Sequence, residues 1–137
     1  MEKEKTMNKH VEEAMKLRNA TPMCNNCAQT ILRVYAEEMG MSEDLAAAVG
    51  SNFGSGMRCG GTCGAITAAL MVLGAKGDDS PQAFQAYRRK MAENHDGMTD
   101  CADLLRANAE KGGEKKMHCD NMIKESIEVM DEVMNQA

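Results

Sequence analysis

The sequence predicts an all-α fold: one compact, single-domain bundle of about six or seven helices, with a glycine-rich loop before the central helix. Three observations predict it. Apolar residues recur at helical spacing along nearly the whole chain. No stretch of strand-like alternation interrupts them. Cap and stop residues fall where the apolar stripes begin and end. At 137 residues the chain suits one domain, 1–137, with an N-terminal helix in 1–20 and a cysteine-containing core in 21–137. A chain of this size buries roughly 68–70% of its unfolded surface and needs no staple to fold.

The first helix is predicted over about Lys5 to Arg18, with Met7, Val11, Ala14 and Met15 on one face. Thr21-Pro22 reads as a cap followed by proline in the first turn. The second helix carries Cys27, Ile31, Val34 and Tyr35, and Gly40 ends it. Ser42 caps a short third helix through Leu45 and Val49. Residues 51–61 form the glycine-rich loop. Thr62 is the expected cap of the fourth helix, whose stripe is Ile66, Ala69, Leu70 and Leu73. Ser80-Pro81 repeats the cap-plus-proline signal before Phe84, Tyr87 and Met91. Thr99 is the expected cap of a helix bearing Cys101, Leu104 and Leu105. After a turn at KGGEKK, the last helix carries Cys119, Ile123, Ile127, Met130 and Met134.

Charge and composition narrow the function. The net charge is −5 and no basic stripe appears, so nucleic acid and anionic membrane are not expected partners. The opening MEKEKTMNKHVEEAMK lacks the apolar centre of a signal peptide. The longest apolar run, Ala65 to Ala75, falls short of the ~20 residues a membrane span needs. A cytoplasmic protein without membrane insertion is expected. In that reducing setting, six cysteines are metal ligands, redox thiols or buried bystanders rather than structural disulfides. The 14 methionines are scattered, which suits core filler better than a copper(I) site.

Four cysteines share one kind of position. Cys27, Cys63, Cys101 and Cys119 lie at or near helix N-termini on inward faces. Unpaired N–H groups and partial positive charge there favour thiolate, the form that binds metal or attacks a disulfide. If those helix starts meet, four thiolates converge. Gly60, Gly61 and Gly64 around Cys63 would let the backbone close around such a centre. Cys24 and Cys27 form a CxxC, and Cys59 and Cys63 a CxxxC. The CxxC lacks a surrounding βαβ pattern, and Ala28 rather than His follows it, so haem is not expected. Structural zinc is an alternative, although the second halves of zinc patterns are missing. His118 reads as a solvated helix-end residue, with a ligand or a donor behind the ligands as the alternative. The glycine loop lacks the Gly-Lys-Ser/Thr ending of a phosphate loop.

These motifs together carry a resemblance. Asn26-Cys27-Ala28-Gln29, Phe53-Gly54-Ser55-Gly56-Met57, Cys63-Gly64-Ala65, the run 69–74, Cys101 and Cys119 resemble a small redox-active family named for its CGAxxG motif and separate single cysteines, C_GCAxxG_C_C. The resemblance covers about Cys24 to Met122. Ala68 stands where the motif ends in Gly, Ser55 stands where the family often has Gly, and Cys24 and Cys59 are additional. A related domain accompanies haem and an iron–sulfur centre in the split-Soret cytochromes. The resemblance implies redox activity, with Cys27, Cys63, Cys101 and Cys119 as ligands of a [2Fe–2S] or [4Fe–4S] cluster. Electron transfer or redox sensing with a protein partner is the expected role, and a homodimer is compatible with it. Metal-free thiol–disulfide exchange at Cys24/Cys27 or Cys59/Cys63, structural zinc, and a helical interaction domain with buried cysteines are the rivals. No substrate pocket or catalytic constellation is legible.

Overall fold

The helical stripes become eight α-helices among the described residues of the computed structural model, which are 8–19, 25–78 and 80–135. Thr21-Pro22 and Cys24 lie outside them. Helix α1, Lys9–Arg18, is capped by Asn8, whose side chain accepts from His10 N–H at 2.7 Å. Helix α2 spans Cys27–Val34 and α3 spans Ala36–Met39. The sequence predicts these as one helix. The break falls at Tyr35 (φ −99°, ψ 6°), a fully buried ring stacked on His10 at 4.1 Å with its hydroxyl donating to Asp131 at 2.8 Å. Gly40, at φ 77°, ends α3 as expected. Ser42 caps α4, Glu43–Gly50, by accepting from Leu45 N–H at 3.1 Å.

Helix α5 spans Gly64–Ala75, α6 Pro81–Glu93, α7 Cys101–Glu110 and α8 Lys115–Asn135. Ser80 caps α6 and Pro81 opens it, as its sequence signal predicts. The starts of α5 and α7 are shifted by one residue from the expected threonine caps: Cys63 and Asp100 are the cap residues. The cause is a short antiparallel pairing. Thr62 bridges Asp100, Cys63 N–H donates to Thr99 O at 2.9 Å, and Cys101 N–H donates to Gly61 O at 2.6 Å. Thr62 and Thr99 are committed to this pairing rather than to capping.

Helix α2 sits centrally, packed on α1, α4, α5 and α8, while α8 runs along α1, α2, α5, α6 and α7. One hydrophobic core joins these helices, with Ile31, Ile66, Leu73, Tyr87, Met91, Ile123, Ile127 and Met130 all buried to 2% exposure or less. Each such side chain contributes about 1.5–3 kcal/mol by leaving water. Methionine fills gaps in that core at Met91, Met122 and Met130. No helix among the described residues is long and apolar enough to cross a membrane.

Candidate functional site

Three of the four cysteine-bearing helix starts are brought together by close backbone approach. Asn26 caps α2 reciprocally: its side chain accepts from Gln29 N–H at 2.7 Å, and Gln29 Oε1 accepts from Asn26 N–H at 3.0 Å. Gln29 Nε2 also donates to Ala47 O at 3.0 Å, fixing this end of α2 against α4. The glycine loop then passes over Asn26 and delivers the start of α5 beside it. A Cβ on Gly54 would lie 2.7 Å from Asn26 Cβ, and one on Gly64 would lie 2.5 Å from Phe53 O. Neither position has room for a side chain. The Thr62–Asp100 pairing brings the start of α7 to the start of α5. The segment Ser55–Arg58 turns left-handed, with φ of 53°, 63°, 58° and 64° at successive residues, and Gly61 N–H closes the turn onto Gly56 O at 2.8 Å.

The result is a cavity of about 330 Å³ lined by Cys27, Cys63, Cys101 and Cys119, together with Gly64. Gly60 and Gly61 do not line it. Gly60, at φ 78°, faces Ala102, where an added Cβ would lie 3.1 Å from the alanine Cβ, and Gly61 O accepts the N–H of Cys101. These two glycines therefore seat the start of α7. Cys59 is exposed outside the cavity, with its Sγ 3.5 Å from Gly56 O. Leu104 and Met122 supply apolar wall; Arg18, Lys115, Lys116 and His118 supply positive or polar wall.

The four sulfurs differ in environment. Cys63 is 5% exposed, and burial pushes its thiol up to about 11, although the nearby N–H groups of Ala65 and Ile66 oppose the rise. Cys27 and Cys119 are hydrogen-bonded side chain to side chain. Cys27 donates, which together with burial raises its thiol well above the ordinary range. Cys119 receives that bond and feels Arg18 and Lys115, so its thiol comes down to about 7 despite burial. Burial and the nearby Cys119 raise Cys101. One thiolate is thus held at Cys119, and the other sulfurs stay protonated until something replaces their protons.

Arg18 is the residue that sequence reading misses. It is 6% exposed, donates from Nε to Asp120 Oδ1 at 2.7 Å and from Nη1 to Asn25 O at 2.8 Å, and lines the cavity. The available signal is its place on the stripe of Val11 and Ala14, where a cation requires a buried partner. Lys115 and Lys116 sit in the predicted turn KGGEKK but open α8 instead, one turn before Cys119. Lys116 also donates to Asp120, at 2.8 Å. His118 lines the cavity rather than standing in solvent, and burial lowers its pKa.

The fold is thus a helical bundle that brings four thiols to one cavity. The family described as "Putative redox-active protein (C_GCAxxG_C_C)" matches residues 25–133, most of the chain, and the chain belongs to that family. No curated protein and no solved structure matches it.

Proposed function

We propose that this protein transfers electrons or senses redox state through an iron–sulfur cluster held by Cys27, Cys63, Cys101 and Cys119. The observation that carries the reading is four thiols from four helices around one void of about 330 Å³. Among the described residues, no three His, Cys, Asp or Glu side chains stand close enough to share a single metal ion. A lone zinc ion needs its ligands convergent at about 2.0–2.3 Å, whereas a cluster distributes its thiolates over several irons. Thiols spaced around a void fit the second arrangement.

The cluster, when bound, supplies reversible one-electron chemistry. The chain's residues do the rest. The cysteines lose their protons to bind iron, and Arg18 and Lys115 offset the negative charge that remains. Leu104 and Met122 limit water at the site, and the first-turn N–H groups of Ala65 and Ile66 favour negative charge at Cys63. A cytoplasmic setting keeps the thiols reduced and available, and a partner protein supplies or accepts the electron.

The test is iron and acid-labile sulfide analysis of protein purified or reconstituted without oxygen. Brown protein with both elements is expected. Serine at Cys27, Cys63, Cys101 or Cys119 weakens iron binding by at least about tenfold, since losing even a partner behind a ligand costs about 10–100-fold in metal affinity. Serine at Cys59 leaves it unchanged. Colourless wild-type protein after reconstitution overturns the reading, and stoichiometric zinc without sulfide replaces it with a zinc site.

A further inference from the structure

We propose that Arg18, the last residue of α1, is a positioning residue of the thiol site: its guanidinium sets the start of α2, which bears Cys27, against the turn of α8 that bears Cys119. The inference rests on the iron–sulfur reading for what the cysteines hold, and it brings into the site a part of the chain that the reading leaves out. Arg18 lies before the region matched by the family, residues 25–133. A helix that precedes the matched region therefore completes the site.

The geometry is that of a bridge. Arg18 Nε donates to Asp120 Oδ1 at 2.7 Å, and Asp120 directly follows Cys119. Arg18 Nη1 donates to Asn25 O at 2.8 Å, and Asn25 stands just before the Asn26 cap of the helix that Cys27 opens. Both bonds leave one planar group, so they fix the direction between the two anchors as well as their distance. The anchors are themselves held. Asn25 is 7% exposed, and its Oδ1 accepts from Arg33 Nε at 2.7 Å. Asp120 Oδ2 accepts from Lys116 at 2.8 Å, and the same ammonium donates to Asn19 Oδ1, beside Arg18, at 3.3 Å. Arg18 is only 6% exposed. Water cannot replace these bonds there, and a buried cation that loses its carboxylate is left uncompensated. Asp120 does not line the cavity, so cutting the bridge at that end leaves the cavity wall itself unchanged.

The competing role for Arg18 is charge alone, which needs only a cation at this place. Arg18→Lys separates the two, because an ammonium keeps the charge and loses the fork. Full-length protein, iron-free, reduced and kept anaerobic, is followed by amide hydrogen exchange with mass spectrometry. In Arg18→Lys, peptides covering the first turns of α2 and α8 are expected to exchange about tenfold faster than in wild type, the worth of a lost hydrogen bond to a charged group. Peptides of α6, which carries no part of the bridge, are expected to keep the wild-type rate. Should Arg18→Lys fold poorly, Asp120→Ala cuts the bridge at its other end and is expected to give the same local acceleration. After anaerobic loading with iron and sulfide, the visible circular dichroism of Arg18→Lys is expected to depart from wild type and to resemble that of Arg18→Gln. Wild-type exchange in Arg18→Lys, an acceleration that extends equally through α6, or a wild-type spectrum in loaded Arg18→Lys overturns the proposal. Local acceleration in a protein that never assembles a cluster removes the iron–sulfur reading alone, and a loaded wild type without that acceleration in the variants removes the bridge alone.

Discussion

At Gly64 the absence of a single methyl group decides whether the site closes. A Cβ there would sit 2.5 Å from Phe53 O, a backbone atom that cannot swing aside. Gly64→Ala is expected to cost about 2 kcal/mol in urea unfolding, within the range of overpacking effects. Gly74, inside the same helix, has nothing within 4 Å of its added Cβ. Gly74→Ala is expected to stabilise by about 0.5–1 kcal/mol through helix propensity and lost unfolded-state freedom. Equal effects at both positions would contradict this account. The sequence shows glycines around Cys63 and suggests close backbone approach. It does not show which glycine meets which backbone, because Phe53, Asn26 and Ala102 become their neighbours only in three dimensions. Arg18 illustrates the same limit: its stripe position is legible, but Asp120 and Asn25 are not legible as its partners.

Among the elements, one imidazole ties α1 to both α3 and α8. His10 contacts Glu38 after the break at Tyr35 (2.6 Å) and Asp131 on α8 (3.0 Å), while Tyr35 stacks on its ring; Lys76, at the end of α5, also binds Glu38. Burial alone would lower the pKa of His10, but the two carboxylates outweigh it and the net shift is upward. A raised folded-state pKa contributes stability that is complete below the unfolded value and lost as pH rises through the folded one. His118 has the opposite sign, since burial lowers its pKa and favours the folded state as pH rises. The difference between wild type and His10→Gln isolates the first effect: the wild-type advantage in melting temperature is expected to shrink from about pH 6 to about pH 8, around the ordinary histidine range. A constant difference would count against it. Element boundaries are legible where local chemistry sets them, as at Ser42, Ser80 and Gly40. They are displaced where pairing with a distant segment competes, as at Thr62 and Thr99. The handedness of the turn Ser55–Arg58 is hidden because Ser55, Met57 and Arg58 are not residues that favour positive φ.

Over the whole molecule, the core and the thiol cavity share a wall. Cys63 belongs to the hydrophobic core and Cys27 packs against it, so the site is continuous with the packing that holds the bundle together. A group that binds only the folded chain stabilises it by linkage. Cluster-loaded protein is therefore expected to melt several degrees above the iron-free form, by about 2–4 °C for each kcal/mol of coupling. Calorimetry under anaerobic conditions checks this, and coincident transitions for a fully loaded sample would contradict it. The all-α architecture is legible from the periodic stripes because burying them needs no long-range information. The convergence of four cysteines is not: it depends on the crossing of α2 and α8 and on the pairing beside α7.

That pairing gives the cavity two mechanically unequal halves. Peptide hydrogen bonds clasp the segments bearing Cys63 and Cys101, so these two sulfurs ride on one small rigid unit. Cys27 and Cys119 sit on separate helices with no such clasp between them. The separation of Cys63 from Cys101 is therefore pinned by backbone bonds, whereas that of Cys27 from Cys119 is set by helix packing and side chains.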